Sequence, residues 1–459
     1  MRWTPLLLLL LCLRAVSAQT PAVPPASSAP PPQAAPPLSP QAAYYQAATP
    51  IEITHRAISN WSDVETRSLA VAIAQAKEGC LARTSQTYTG DDLIAFARLC
   101  DLGLQWPIVY TAATSYINSK DTSKPRLAQA YAYEVKADLN LRDDKGALNS
   151  SIAMLLSVPY DAIADEVTTA TIRYLQFAST SDALMLLSRR QPFLLDLIRA
   201  SHTATSPLPS SVAASALPLH LLFERALEFA TLEQYDNQPR LAALILADID
   251  KALPSDPPPD EAILIAADRR QYALLGTAYP GLHGAVSLDP ANPTAHFGNA
   301  TVLLLFPAWC AQCLRQAHEI DAAVARLKDS DVHIFALLAD VPPAPVSSAS
   351  RPAPKPAPTS TRHAVHPAAE ALSKPDAPLT AEDQLRGTPA LVVPPSMLTS
   401  FNAADFPFVI VLDHDDVIRL LQPAVPETAL VAGGMVDQVA SHILTAWPPP
   451  GVAASLPTK

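Results

Sequence analysis

Charge is scarce in this chain of 459 residues: Asp, Glu, Lys and Arg together make up 16% of it, and the balance is acidic, with a formal net charge of -11. That argues against a general nucleic-acid role, because neutralising a phosphate backbone takes a basic surface. Cysteine is scarce too, at 5 residues. One of them, Cys12, lies in an apolar N-terminal leader, which leaves Cys80, Cys100, Cys310 and Cys313. Only one Cys-x-x-Cys is present, so a four-cysteine zinc site has too few ligands. Beyond the leader no apolar run is long enough to serve as a transmembrane helix.

What the chain does have is proline, at 47 residues, and a hydrophobic content of 49%, enough for a substantial core. The length calls for two domains or more. Met1 to Ala18 reads as a secretory signal peptide: Arg2, the apolar run Leu6 to Leu13, then Val16-Ser17-Ala18 as the cleavage site. Residues 19–50 are rich in Pro, Ala, Ser and Gln, with nine prolines between Pro21 and Pro40, and read as a disordered tether. Residues 342–378, with ten prolines, read as a disordered insertion, and residues 448–459 as a disordered tail.

Between tether and insertion the hydrophobic period is first helical and then strand-like. The spacing predicts helices at 62–83, 91–102, 106–118, 127–141, 145–156, 163–177, 181–201, 216–232, 239–252 and 260–275. Short helices joined by brief loops over 51–275 suggest a helix-hairpin solenoid, with an irregular α-helical domain as the alternative. Ala147 and Pro159 stand at the spacing of tetratricopeptide-repeat positions, so this region resembles that repeat. Cys80 and Cys100 are candidates for a structural disulfide between its first two predicted helices, the alternative being two buried free thiols.

The stretch Phe306-Pro307-Ala308-Trp309-Cys310-Ala311-Gln312-Cys313 follows the strand-forming run Thr301 to Phe306 and precedes a helix-competent segment, Leu314 to Leu327. Strand, Cys-x-x-Cys, helix sets Cys310 at a helix N-terminus. Unpaired N–H groups and the helix dipole there favour a thiolate, the form that attacks a disulfide. Cys313 lies one turn on and can close the ring. Three chemistries are open to the pair: a redox-active dithiol, half of a zinc site, or an inert structural bond. Zinc needs two further ligands close by, and His318 and His333 stand singly.

Trp-Cys-x-x-Cys after a hydrophobic strand resembles the thioredoxin superfamily. Val332 to Asp340 is similar to that family's next parallel strand, and Phe406 to Asp413 to the segment holding its cis-proline. His414 to Leu420 is similar to its acidic turn and last hairpin strand, and Val436 to Trp447 to its closing helix. The order resembles secreted thiol–disulfide oxidoreductases and covers residues 276–447. The fold class expected is therefore multidomain: an N-terminal all-α helix-hairpin region and a C-terminal α/β thioredoxin fold.

The resemblance implies an exported enzyme, in the bacterial periplasm or outside the cell, acting on protein thiols and disulfides with an unidentified redox partner. Cys310 would attack, Cys313 would resolve the mixed disulfide, and Trp309 with a cis Pro407 would line the substrate groove. It implies no cofactor and no metal. The helical region would recruit a protein partner. Ala311-Gln312 differs from the Gly-Pro or Pro-Pro pair common in the family, and the position near Leu304, where many relatives bury a carboxylate, is apolar. Oxidation, reduction and isomerisation therefore stay open. The rival from another class is a non-enzymatic assembly protein with a redox-silent module.

Overall fold

A computed structural model describes residues 38–57, 63–120, 124–201, 217–288, 300–327, 332–340, 380–424 and 434–448. The predicted signal peptide, the insertion over 342–378 and the tail beyond Pro448 lie outside the described residues. Eleven helices precede the first strand among the described residues: α1 (Pro40–Ala57), α2 (Asp63–Leu81), α3 (Asp91–Leu102), α4 (Trp106–Ile117), α5 (Leu127–Leu141), α6 (Asp144–Ser157), α7 (Ala162–Ala178), α8 (Thr180–Ser201), α9 (Leu219–Tyr235), α10 (Pro239–Ala252) and α11 (Pro259–Tyr272). None is long and apolar enough to cross a membrane.

Local chemistry sets several of these ends. Asp161 accepts hydrogen bonds from the Ile163 and Ala164 amides, opening α7. Asp143 does the same for Gly146 at the start of α6. Pro107, Pro239 and Pro259 stand in the first turns of α4, α10 and α11, where a missing N–H costs nothing.

α1 is a correction to the tether predicted over 19–50. It begins at Pro40, a tolerated first-turn position, and buries Ala43, Ala47 and Ala48. The alanine content read as low complexity supplies small side chains, and these let α1 lie close on α2 and α3. Cys80 of α2 and Cys100 of α3 are fully buried and bonded, with Cα atoms 5.0 Å apart.

The C-terminal part is a mixed six-stranded sheet. Its strands are β1 (Val286–Ser287), β2 (Ala300–Pro307), β3 (Val332–Ala339), β4 (Ala390–Val393), β5 (Phe408–Leu412) and β6 (Ile418–Pro423). Their order is β1-β4-β3-β2-β5-β6, with β2, β3 and β4 parallel and the other neighbours antiparallel. Helices α12 (Ala311–Ala317), α13 (Ile320–Arg326), α14 (Ala381–Leu385), α15 (Ser396–Ser400) and α16 (Met435–Ala446) complete it.

The central strand β2 is buried along its whole length, as its unbroken apolar run requires. Its side chains alternate between two cores: Val302, Leu304 and Phe306 on one face, Leu303 and Leu305 on the other.

The sequence boundary at 275/276 falls between the helices and the sheet, yet packing runs across it. Leu148, Ile172, Leu186, Leu232 and Tyr235 of the helical region share one buried cluster with Val302, Leu304, Val409, Val436 and Val439. α16 lies in this joint, against β2 on one side and α7 on the other. The Tyr235 ring stacks on His442 at 4.3 Å, and its hydroxyl donates to the Val439 carbonyl. Asn237 Nδ2 donates to the Ala446 carbonyl at 2.8 Å, and Trp447 Nε1 to the Tyr235 carbonyl at 3.1 Å. The connection after α11 also pairs with the sheet edge: the Gly276 amide donates to Ile418, and the Ile418 amide to Thr277.

Candidate functional site

The end of β2 sets the position of the Cys-x-x-Cys. Pro307 pairs in register with Ala339 of the parallel strand β3, and the Ala308 amide donates to the Ala339 carbonyl. The chain then turns through Trp309 into α12. Cys310 is the N-cap residue of that helix, and its Sγ accepts from the Cys313 amide at 3.3 Å. Cys310 is half-buried at the helix mouth, whereas Cys313 faces the core and is 1% exposed. The two are bonded to each other.

The helix expected as one piece over 314–327 is broken. α12 stops at Ala317, and α13 starts at Ile320. A three-residue turn, from the Glu319 amide to the Gln316 carbonyl, tightens the chain between them.

The second predicted groove residue arrives from β5. Leu305 of β2 is opposite Phe408 of β5, so continuing the register by one residue sets Pro407 beside Phe306. The Phe406–Pro407 peptide bond is cis. Trp309 stands 51% exposed, and its ring meets the Phe406 ring edge to face, with centroids 5.7 Å apart and planes at 84°. The structure thus brings Trp309, Cys310, Cys313 and the Phe406–Pro407 turn to one end of the sheet. α14 packs against α12 from the side. Cys80 and Cys100 sit apart from this group, in the core of the first helices.

Sequence reasoning missed two neighbours. Phe406 was visible only as an aromatic before proline, and its partner Trp309 is 97 positions away, as 406 minus 309 shows. Gln316 lies three residues beyond Cys313 on the buried side of α12. It is 7% exposed, and its Oε1 has no hydrogen-bond partner among the described residues. Its signal in the sequence was the spacing alone, a polar residue on the face that Cys313 and Ala317 bury.

The acidic turn after β5 is a fixed structural device. Asp413 is buried; its Oδ1 accepts from the Asp415 and Val417 amides, and its Oδ2 pairs with Arg419. Arg419 in turn lies 3.3 Å over the Trp447 ring, tying the turn to the end of α16.

In the helical region a cluster of charged side chains centres on the buried Arg190. Arg190 has no exposed surface and donates to Glu228 at 2.5 Å, to Thr169 and to the Arg225 carbonyl. Burial would raise the Glu228 carboxyl, but Arg190, Arg225 and Arg173 outweigh it and hold the group down at about 2. This cluster clamps α7, α8 and α9 together. No family model, no curated protein and no solved structure matches this chain.

Proposed function

We propose that this protein is an exported thiol–disulfide oxidoreductase with a thioredoxin-type dithiol at Cys310 and Cys313. One observation carries the reading: a half-buried Cys310 caps the helix that buries Cys313, beside an exposed Trp309 whose ring meets Phe406. An inert structural bond has no need of an accessible sulfur at a helix N-terminus.

In the reducing direction the Cys310 thiolate attacks one sulfur of a substrate disulfide, and the other sulfur leaves as a thiolate. The Cys313 thiolate then attacks Cys310 Sγ, frees the second substrate sulfur and closes the Cys310–Cys313 bond. The substrate gains two electrons and the protein dithiol loses them. Run backwards, the same steps oxidise a substrate dithiol. Two buried or half-buried disulfides suit an oxidising, exported compartment.

The helical region fits a helix-hairpin solenoid that recruits a protein partner. Support comes from its packing order: α1 touches α3, α3 touches α5 and α5 touches α7, besides each helix touching the next from α1 through to α10. Insulin reduction by the purified protein with a dithiol reductant tests the redox reading. Turnover should be lost in Cys310→Ser. Equal turnover by the wild type and that variant, or none above the reductant alone, would reject it in favour of a redox-silent assembly protein.

A further inference from the structure

Gln316 is a buried amide whose acceptor oxygen is unpaired while Cys310 and Cys313 are bonded. An orphaned buried acceptor of this kind is disfavoured, because its lost water is not replaced. Side chains on a helix lean toward its N-terminus, so residues three apart meet on one face. Gln316 therefore leans back over the turn that carries Cys313, and both residues are buried there. A disulfide sulfur has no hydrogen to give. A thiol has one.

Resting on the dithiol reading above, we propose that Gln316 is a redox-state-specific positioning residue: its Oε1 accepts the Cys313 S–H only in the reduced protein. In the exchange, an external thiolate attacks Cys310 Sγ and Cys313 leaves as a thiolate. Cys313 takes up a proton released by the external thiol and donates it in a hydrogen bond to Oε1. A second external thiolate attacks the externally derived sulfur of the mixed disulfide, forms the oxidised external disulfide and expels Cys310 as a thiolate. Two external thiols are oxidised, one protein disulfide is reduced, and their two protons end on the protein cysteines. Gln316 takes neither proton nor electron. It removes the unpaired oxygen from the reduced state alone, so it favours the dithiol and makes the couple more oxidising. Leu304 brings no carboxylate, and Gln316 sets a neutral amide on the helix face that buries Cys313.

The experiment equilibrates the full chain and Gln316→Met, which keeps the volume without the amide, in glutathione buffers. Acid quenching, alkylation and mass measurement then give the reduced fraction of the Cys310–Cys313 pair. The equilibrium constant for reduction should fall about tenfold in Gln316→Met, a shift of about 30 mV toward a more reducing couple. Gln316→Glu, which keeps an acceptor oxygen, should recover at least part of the loss. Gln316→Ala serves as the second variant if the Met substitution prevents folding, with the same direction expected. Equal constants for wild type and variants would overturn the role of Gln316 and leave the dithiol reading standing. Failure of the wild-type pair to exchange with glutathione at all would overturn both.

Discussion

Asp138 illustrates what single residues contribute. It is 2% exposed, and Ser150 Oγ donates to its Oδ2 at 3.1 Å. Burial nonetheless pushes its carboxyl up to about 6, and the nearby Glu134 and Asp143 add to that. A carboxyl whose folded pKa exceeds its unfolded value is destabilising once ionised. The cost is absent below about pH 4, grows as pH rises through the folded value, and is complete near neutrality. Asp138→Asn keeps the acceptor for Ser150. It should raise stability at pH 7 by about 1–3 kcal/mol and leave it unchanged near pH 3.5. Denaturant melts at the two pH values check this, and a gain at both would refute the charge argument. At the dithiol, exposure and capping point the same way. After reduction at mildly acidic pH, alkylation should label the half-buried Cys310 well before the buried Cys313, as timed mass spectra would show.

At the scale of elements, two glycines with similar helical neighbourhoods have opposite physics. Gly103 follows α3 with an ordinary negative φ, so a left-handed turn is not its reason for being there. A Cβ on it would meet the Lys77 backbone nitrogen at 2.6 Å and the Ala76 carbonyl carbon at 2.9 Å. Gly79, inside α2, would meet nothing nearer than 3.6 Å. Gly103→Ala should therefore destabilise by about 1–3 kcal/mol, because backbone cannot yield as a side chain does. Gly79→Ala should stabilise by about 0.5–1 kcal/mol, from helix entropy alone. Paired thermal melts decide it, and equal shifts would count against the close approach of α2 and α3. That approach, beside the Cys80–Cys100 bond, brings the two helices close enough for the bridge to form.

At the scale of the whole molecule, the helices and the sheet share one buried cluster across their boundary, besides the clusters that each has to itself. Tyr235 belongs to α9, yet it is 1% exposed because α16 covers it. Tyr235→Ala removes the stack on His442 and the bond to Val439, and a loss of about 3–5 kcal/mol is expected. Helical ellipticity and tryptophan emission, followed through the same melt, should move together in the wild type and still coincide, at lower temperature, in the variant. Two separated transitions in the wild type would show that the shared cluster does not couple the halves.

The sequence by itself determined the elements. Apolar period three to four marked ten of the helices before the sheet within a few residues, and apolar-rich runs marked β2, β3 and β5. Trp309-Cys310-x-x-Cys313 as a motif and Pro407 at the head of β5 were readable because each signal is local. The first helix was not, since its residues Pro40 to Pro50 have the composition of a tether, and burial of Ala43, Ala47 and Ala48 where α1 packs on α2 and α3 is what the sequence did not show. Nor was the break at His318–Glu319, nor the unpaired amide of Gln316. Tertiary structure alone decided the Cys80–Cys100 pairing, the meeting of Trp309 with Phe406 and the buried cluster that helices and sheet share. Each of these depends on groups far apart in the chain, and their contact free energy exists only once the intervening elements have packed.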